Sequence, residues 1–220
     1  MKIATLLLNL TLDSSVTPAD ARKIRGYFGS LFRHKSVVHH HQPDGSLRYR
    51  YPVIQYKVIH DNIIIIGFLE GLEVIREIFE ELQVVIIDGR WQEILTKALY
   101  SYEAEFGLTE QLRGYTFLTP WLALNEENYE TYQKYGSRQK RRELLARILI
   151  GNILSVAKGI GYTVPGPLRA EIDDIRETRT TLKGTPMLGF TGTFRVNFEI
   201  PRYWGLGKSV SRGFGTVAPL

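Results

Sequence analysis

Apolar positions along this chain recur at two periods, and the switches between them mark its elements. Residues 2–12 alternate loosely and predict a strand. Thr17-Pro18-Ala19-Asp20 follows, a helix start with threonine as cap and proline at the first helical position. Beyond it Ile24, Tyr27, Phe28, Leu31 and Phe32 share one helical face. Leu47–Ile59 and Asn62–Phe68 are two β-rich runs joined by the tight turn His60-Asp61-Asn62. Glu70–Leu82 returns to helical spacing, with Leu72, Ile75, Ile78, Phe79 and Leu82 on one side. Val84–Ile87 and residues 96–106 predict further strands, so the order is β-α-β-β-α-β.

The second half repeats that logic less cleanly. Gly114–Leu124 is strand-like, and Arg141–Lys158 predicts a helix. Its Leu144, Leu145, Ile148, Leu149, Ile153 and Val156 form the stripe to be buried, and Gly159 stops it. Residues 169–182 and 187–200 are strand-rich, and Thr216–Leu220 closes the chain. The economical architecture is α+β: two tandem ferredoxin-like (RRM-like) βαββαβ modules, residues 1–110 and 111–220, joined near Gly107–Leu112. That fold serves many activities and names none.

Composition narrows the field. The 220 residues suffice for one sizeable core or two small domains, and no run of about 18 apolar residues predicts a membrane span. Met1–Thr11 imitates a signal peptide, but Asn9 and Asp13 break the apolar run and no small-residue cleavage site follows. There is no cysteine, which excludes disulfides, thiolate chemistry and cysteine-based zinc sites and suits a reducing cytoplasm. Charge is uneven. Residues 1–110 hold 12 Lys and Arg against 14 Asp and Glu, whereas residues 111–220 hold 16 against 9. A basic half beside a near-neutral one points to a polyanionic partner contacted mainly by the second half.

The densest candidate for that contact is Gly205-Leu206-Gly207-Lys208-Ser209-Val210-Ser211-Arg212-Gly213-Phe214-Gly215. Glycine lets a backbone take positive φ and approach another polar surface. Free N–H groups of such a loop can point at phosphate oxygens, with Lys208 and Arg212 supplying charge. The competing reading is a passive turn, but apolar segments flank the loop on both sides. Gly207-Lys208-Ser209 is no nucleotide P-loop, because that motif needs glycine where Arg202 stands. Nor is it a dinucleotide fingerprint, which needs glycine or alanine at Val210 and then a helix.

Four of five histidines fall between His34 and His41, and His39, His40 and His41 are consecutive. Imidazole, with an ordinary pKa of about 6.5, serves as both acid and base near neutrality. In an extended segment His39 and His41 point the same way. One neutral and one protonated ring is what metal-free RNA cleavage needs: a base for the ribose 2′-OH and an acid for the departing 5′-oxygen. Three other readings stand beside it. A metal site would draw a further ligand from Asp44, His34 or His60. The histidines could also be incidental to a solvated loop, or a tag, although the run is internal and short.

The sequence after the histidines breaks this tie. His-x-His ahead of Tyr51-Pro52-Val53-Ile54-Gln55-Tyr56-Lys57, with a double Gly-x-Gly loop at the far end, resembles the Cas six family of CRISPR repeat-RNA processing endoribonucleases; the glycine loop alone marks only the wider repeat-associated RNA-binding superfamily. Its b-type branch is suggested by Leu112-Arg113-Gly114-Tyr115-Thr116-Phe117-Leu118-Thr119-Pro120-Trp121 and by Gly151-Asn152-Ile153-Leu154-Ser155-Val156-Ala157-Lys158-Gly159. The resemblance spans nearly the whole chain. It implies an endonuclease without cofactor or metal, with His39 and His41 as the acid/base pair and His40 able to replace either because the triple run blurs the register. Cleavage would follow 2′-OH attack and leave a cyclic phosphate and a 5′-hydroxyl. A non-catalytic subunit of the same fold, holding a processed guide RNA, is the alternative.

Repeat RNA is the implied partner, with other CRISPR effector subunits and a second copy of the chain left open. The implied RNA-binding residues are Gly205, Gly207, Lys208, Ser209, Ser211, Arg212, Gly213 and Gly215 in the loop. Arg138, Lys140, Arg141 and Arg142 form a second group at a helix N-terminus, an end favourable to anions. The competing reading there is a solvated helix end, but basic residues at that end oppose the helix dipole. Tyr49, Tyr51, Tyr203 and Trp204 are candidates for base stacking or for core packing. Lys57 would stabilise the phosphorane if it faced the site, and is otherwise read as a solvated strand lysine.

Overall fold

A computed structural model describes residues 1–32 and 51–220. The chain divides into two compact units. One gathers residues 2–104 together with Ser211–Gly213, and the other comprises Met1, residues 105–210 and residues 214–220.

In the first unit the sheet order is β2-β3-β1-β5-β4, from strands β1 (Lys2–Leu12), β2 (Ile54–Ile59), β3 (Asn62–Phe68), β4 (Val84–Ile87) and β5 (Arg90–Glu105). Alternation in β1 sets the register: Leu6, Leu8, Leu10 and Leu12 are buried on one face, and Leu8 stands opposite Ile65 of β3. His60 and Asp61, both at positive φ, make the two-residue turn between β2 and β3. Asp61 also receives the Val16 N–H at 2.6 Å and the Ser15 hydroxyl at 2.9 Å, which ties that turn to the chain entering the first helix.

A 3₁₀ turn at Pro18–Asp20 leads into α1 (Ala21–Leu31), and the Asp20 carboxylate accepts both the N–H and the hydroxyl of Thr17. Ile24 and Phe28 enter the core, where Phe28 stacks on Tyr56 at 5.6 Å. Helix α2 (Gly71–Glu81) buries Val74, Ile75 and Ile78. The strand expected over 96–106 begins earlier, at Arg90, because Asp88 and Gly89 at positive φ fold β4 back on β5. That Asp-Gly turn was a legible hairpin signal.

The second unit holds β6 (Gly107–Trp121), β7 (Ala170–Leu182), β8 (Thr185–Glu199) and β9 (Val217–Pro219) in the order β7-β8-β6-β9. Helix α4 (Arg138–Gly159) buries Leu144, Leu145, Leu149, Ile153 and Val156, whereas Ile148 of the expected stripe is half-exposed. A helix absent from the sequence expectation, α3 (Glu126–Lys134), is started by the Asn125 side chain, which accepts the Asn128 N–H at 2.8 Å. Its face is polar and only Tyr132 is buried, so periodicity gave little sign of it.

Large rings fill this core. Phe117 stacks on Trp121 at 5.0 Å, Tyr115 on Phe194 at 5.5 Å, and Phe106 meets Phe198 at 4.8 Å and Trp204 at 5.4 Å. Both units are therefore α+β with antiparallel sheets, in tandem ferredoxin-like form. The second keeps the strand order of the pattern, but the glycine loop, with one 3₁₀ turn at Val210–Arg212, stands where the second helix would lie.

Candidate functional site

The glycine loop is closed on the protein rather than open to solvent. Gly205 bridges Thr216, and the Leu206 N–H donates to the Gly215 carbonyl at 2.9 Å. The Lys208 N–H reaches the Leu122 carbonyl at 3.2 Å, and the Gly215 N–H reaches that of Pro120 at 2.9 Å. Leu206 and Val210 are buried. Three of the loop's N–H groups, those of Leu206, Lys208 and Gly215, are thus taken by protein carbonyls.

Its glycines have a steric reason. At Gly215, φ is +62 and a Cβ would stand 1.9 Å from the Leu206 carbonyl oxygen. At Gly207, φ is +85 and a Cβ would stand 2.7 Å from Trp121 Nε1, which itself donates to Asn152 Oδ1 of α4 at 2.9 Å. A side chain at either position would force the turn open.

The tip of the loop, Ser211–Gly213, belongs to the first unit. There Gly213 (φ +88) faces the Ala21 Cβ and the Tyr56 carbonyl, each 3.1 Å from where its own Cβ would be. This contact brings half-buried Arg212 to the start of α1. Burial, and after it the positive charges of Arg25 and Arg22, holds the Arg212 guanidinium below its ordinary pKa. Arg22 and Arg25 were not singled out from the sequence. The signal that could have found them is their spacing, one helical turn apart on α1 and away from Ile24 and Phe28.

The remaining loop residues divide by exposure. Lys208 is exposed, while Ser209 (φ +62) and Ser211 are half-exposed. At the start of α4, Arg138 and Lys140 are exposed, whereas Arg141 and Arg142 have structural partners. Arg141 donates to the Tyr135 carbonyl at 2.8 Å, lies 4.8 Å over the Tyr132 ring and reaches Glu177 at 3.4 Å. Arg142 donates to the Asp173 carbonyl at 2.7 Å.

Of the aromatic candidates, Trp204 is fully buried and belongs to the core. Tyr51 packs on Phe68 at 6.1 Å. Tyr203 remains half-exposed, with the Arg202 guanidinium 4.9 Å over its ring. Tyr49 lies outside the described residues.

Lys57 is the largest surprise. It is fully buried, not solvated, and its ammonium donates to the Gln55 side-chain oxygen at 2.9 Å. Gln55, also fully buried, is oriented by its own amide donating to the Pro52 carbonyl at 3.1 Å. Burial lowers the Lys57 pKa to about 7, so neutral and charged forms coexist near neutrality. The Gln-Tyr-Lys run therefore sets alternate side chains on opposite faces of β2, with Tyr56 packed on α1 and Lys57 buried beside its neighbour Gln55.

His34, His39, His40 and His41 lie outside the described residues, as does Asp44. His60 is exposed in the β2–β3 turn, where its carbonyl accepts from the Asn62 side chain. Among the described residues no group of His, Asp and Glu could hold a metal ion, and no helix is long and apolar enough to cross a membrane.

With this geometry in hand, comparison with known proteins is specific. A family model described as the Cas6b N-terminal domain matches residues 1–105, and one described as the Cas6b C-terminal domain matches residues 107–220. A solved Cas6b structure is similar over 100% of both chains, with 35% identity and a TM-score of 0.91. A second, a CRISPR RNA processing endoribonuclease Cas6b, is similar over 99% of this chain and 100% of its own, with 33% identity and a TM-score of 0.75. The uncharacterized protein MJ0978 of Methanocaldococcus jannaschii is 46% identical over 113 residues, 51% of this chain and 76% of that protein.

Proposed function

This chain belongs to the Cas6b family, and on that premise we propose that it is an endoribonuclease that cuts CRISPR repeat RNA into guide units. The observation that carries the reading is full-length similarity to a Cas6b that processes CRISPR RNA. The chemistry assigned to it is acid/base catalysis without metal. His39 and His41 act as the pair, with His40 able to take either place. One imidazole takes the proton of a ribose 2′-OH, and the freed oxygen attacks the adjacent phosphorus. The other protonates the departing 5′-oxygen as the P–O bond breaks. The products are a 2′,3′-cyclic phosphate and a 5′-hydroxyl.

Binding falls to the cationic side chains. Lys208 and Arg212 on the loop, and exposed Arg138 and Lys140 at the start of α4, supply charge to the phosphate backbone. The loop's glycines hold the turn in shape, and half-exposed Ser209 and Ser211 add hydroxyl donors for RNA on the same loop. Arg141 and Arg142 contribute to that surface while anchored to their own module. A cysteine-free chain suits the reducing cytoplasm in which such RNA is made.

The test is incubation of the purified protein with repeat RNA in excess EDTA. Cleavage that survives chelation and leaves cyclic-phosphate ends supports the reading. Binding without cutting would instead make the chain a holder of processed guides, and cutting restored only by added metal would replace the histidine chemistry with a metal-dependent one.

A further inference from the structure

Among the described residues the two sheets end on four edges, and three of them are guarded. β7 lies at one edge of the second sheet, and six of its thirteen residues are charged. β9, at the other edge, is three residues long and ends in proline. β2, at one edge of the first sheet, is buried at every position. Charge, shortness, proline and cover all keep a sheet edge from pairing with another chain.

The fourth edge is open. β4 has four residues and pairs with Arg90–Glu93, so among the described residues no strand lies outside β5 from Ile94 onward. Between Ile94 and Tyr102 the one charged residue is Lys97. Its ammonium is turned to α2, where it donates to the Phe79 and Leu82 carbonyls at 2.7 and 2.8 Å. Apolar side chains gather here instead. Trp91, Leu95, Tyr100 and Tyr102 are 72%, 59%, 55% and 37% exposed, four of the ten large apolar side chains exposed among the described residues. A long edge strand without a guard is a template for another strand, and exposed aromatic rings are the usual anchors of a protein interface.

Charge at the two ends of this stretch selects the occupant. Glu93 and Glu103 flank it, both exposed, and Glu80 and Glu81 stand exposed in the turn of α2 that Lys97 caps. Glu103 meets Lys2 at 3.4 Å, a pair that lies mostly in water and is therefore weak. Phosphate would meet no outward cation between Ile94 and Tyr102, which disfavours RNA. A second copy paired antiparallel about Ala98, the middle of the stretch, would set Glu93 of one chain opposite Glu103 of the other at both ends. Like charges directly opposite are unfavourable. We propose that the outer edge of β5, Ile94–Tyr102, docks a strand of another protein, one with an apolar centre and lysine or arginine at its flanks. Main-chain hydrogen bonds supply the affinity, and contacts to Leu95 and Tyr100 set the register. Docking there is independent of RNA cleavage, so either can fail alone.

The probe is a labelled peptide of alternating valine and threonine with two lysines at each end, about ten residues long to span the open stretch. Fluorescence anisotropy with the full chain should give a Kd below about 1 mM. The same peptide with alternate amides N-methylated should bind at least about tenfold more weakly, because pairing runs through the main chain. Leu95→Lys combined with Tyr100→Lys should weaken binding of the lysine-ended peptide about tenfold. Glu93→Lys combined with Glu103→Lys should weaken it by a similar factor and confer binding of a glutamate-ended peptide that wild type rejects. An unchanged urea midpoint shows that each variant is folded, and serine replacements repeat the series if a lysine variant is not.

No binding up to about 1 mM would overturn the site, as would equal affinity for the N-methylated or the glutamate-ended peptide. A wild-type dimer in light scattering that Tyr100→Lys dissolves would give the edge to a second copy and overturn the proposal. A loss of oligouridylate affinity in Tyr100→Ser would do the same by making the strand an RNA face. Repeat RNA cut at the wild-type rate by the Leu95→Lys, Tyr100→Lys variant, which no longer holds the peptide, is the expected result. Slower cutting by that folded variant would place the edge in the RNA reaction and sink its role as a separate docking site.

Discussion

The two modules answer one packing problem differently. In the first, two helices lay aliphatic faces on the sheet, and the core is built from Leu6, Leu8, Leu10, Ile24, Ile63, Ile65, Val74, Ile75 and Ile78. In the second, one long helix covers the sheet and a loop occupies the second helix's place in the chain order. A loop brings no stripe of side chains, so aromatic rings of large area fill the space: Phe106, Trp121, Phe190, Phe194, Phe198 and Trp204. The loop is in turn held by the neighbours of those rings. Its tip, Ser211–Gly213, groups with the first unit.

In the function proposed above, chemistry falls to the first module, which carries the histidine segment, and grip to the second, which supplies the loop and the excess positive charge. The sharpest test of that division is His39→Ala or His41→Ala. Each should lower the single-turnover cleavage rate about 10²–10⁴-fold while leaving RNA affinity near wild type. If neither change slows cleavage, the chemistry does not belong to the first module.

The contrast in cores comes next. Trp204→Ala should cost about 3–5 kcal/mol in urea denaturation, against about 0.5–1.5 kcal/mol for Ile65→Val, because a buried indole leaves a cavity the loop cannot fill. Equal losses at the two sites would remove the argument that rings replace the missing helix.

Lys57 gives a pH signature to the first module alone. Its folded pKa lies below the unfolded value, so between about 7 and about 10.4 the unfolded chain binds more protons. Stability should rise with pH across that window, by up to about 1.4 kcal/mol per pH unit, and be flat in this group's contribution below it. Lys57→Met should abolish the rise. A wild-type stability that is level or falls from about pH 7 to pH 9, matched by the variant, would show that the ammonium is not buried as described.

The smallest expected effect is that of Lys208→Ala. It should weaken RNA binding several-fold and lower the salt slope by about 0.7, with no change in the single-turnover rate at saturating protein. A slower chemical step with unchanged affinity would move Lys208 from grip to chemistry.

Much of the fold was legible because hydrophobic periodicity is local. The faces of α1, α2 and α4 and the alternation of β1 can be read from spacing alone. Helix α3 escaped because its sequence, Glu126–Lys134, has one buried residue and no stripe. Its Asn125 cap was the available sign. The start of β5 escaped because Arg90–Leu95 is mostly exposed, and only the Asp88-Gly89 turn announced the hairpin. In the candidate site, Lys208 and Arg212 could be picked out by composition. Trp204 and Lys57 could not be placed, since nothing in a strand or loop sequence says which side the rest of the chain will cover.

What the sequence by itself determined is most of the elements, the uneven charge and the motifs that identify the family, all of which depend on residues near one another in the chain. Only the tertiary structure decided that the Leu206, Lys208 and Gly215 N–H groups face protein carbonyls, that Lys57 is sealed from water, and that Arg212 feels the charges of Arg22 and Arg25. Those outcomes depend on which surfaces meet across nearly the full length of the chain. Burial and like-charge proximity are properties of such meetings, not of any one segment.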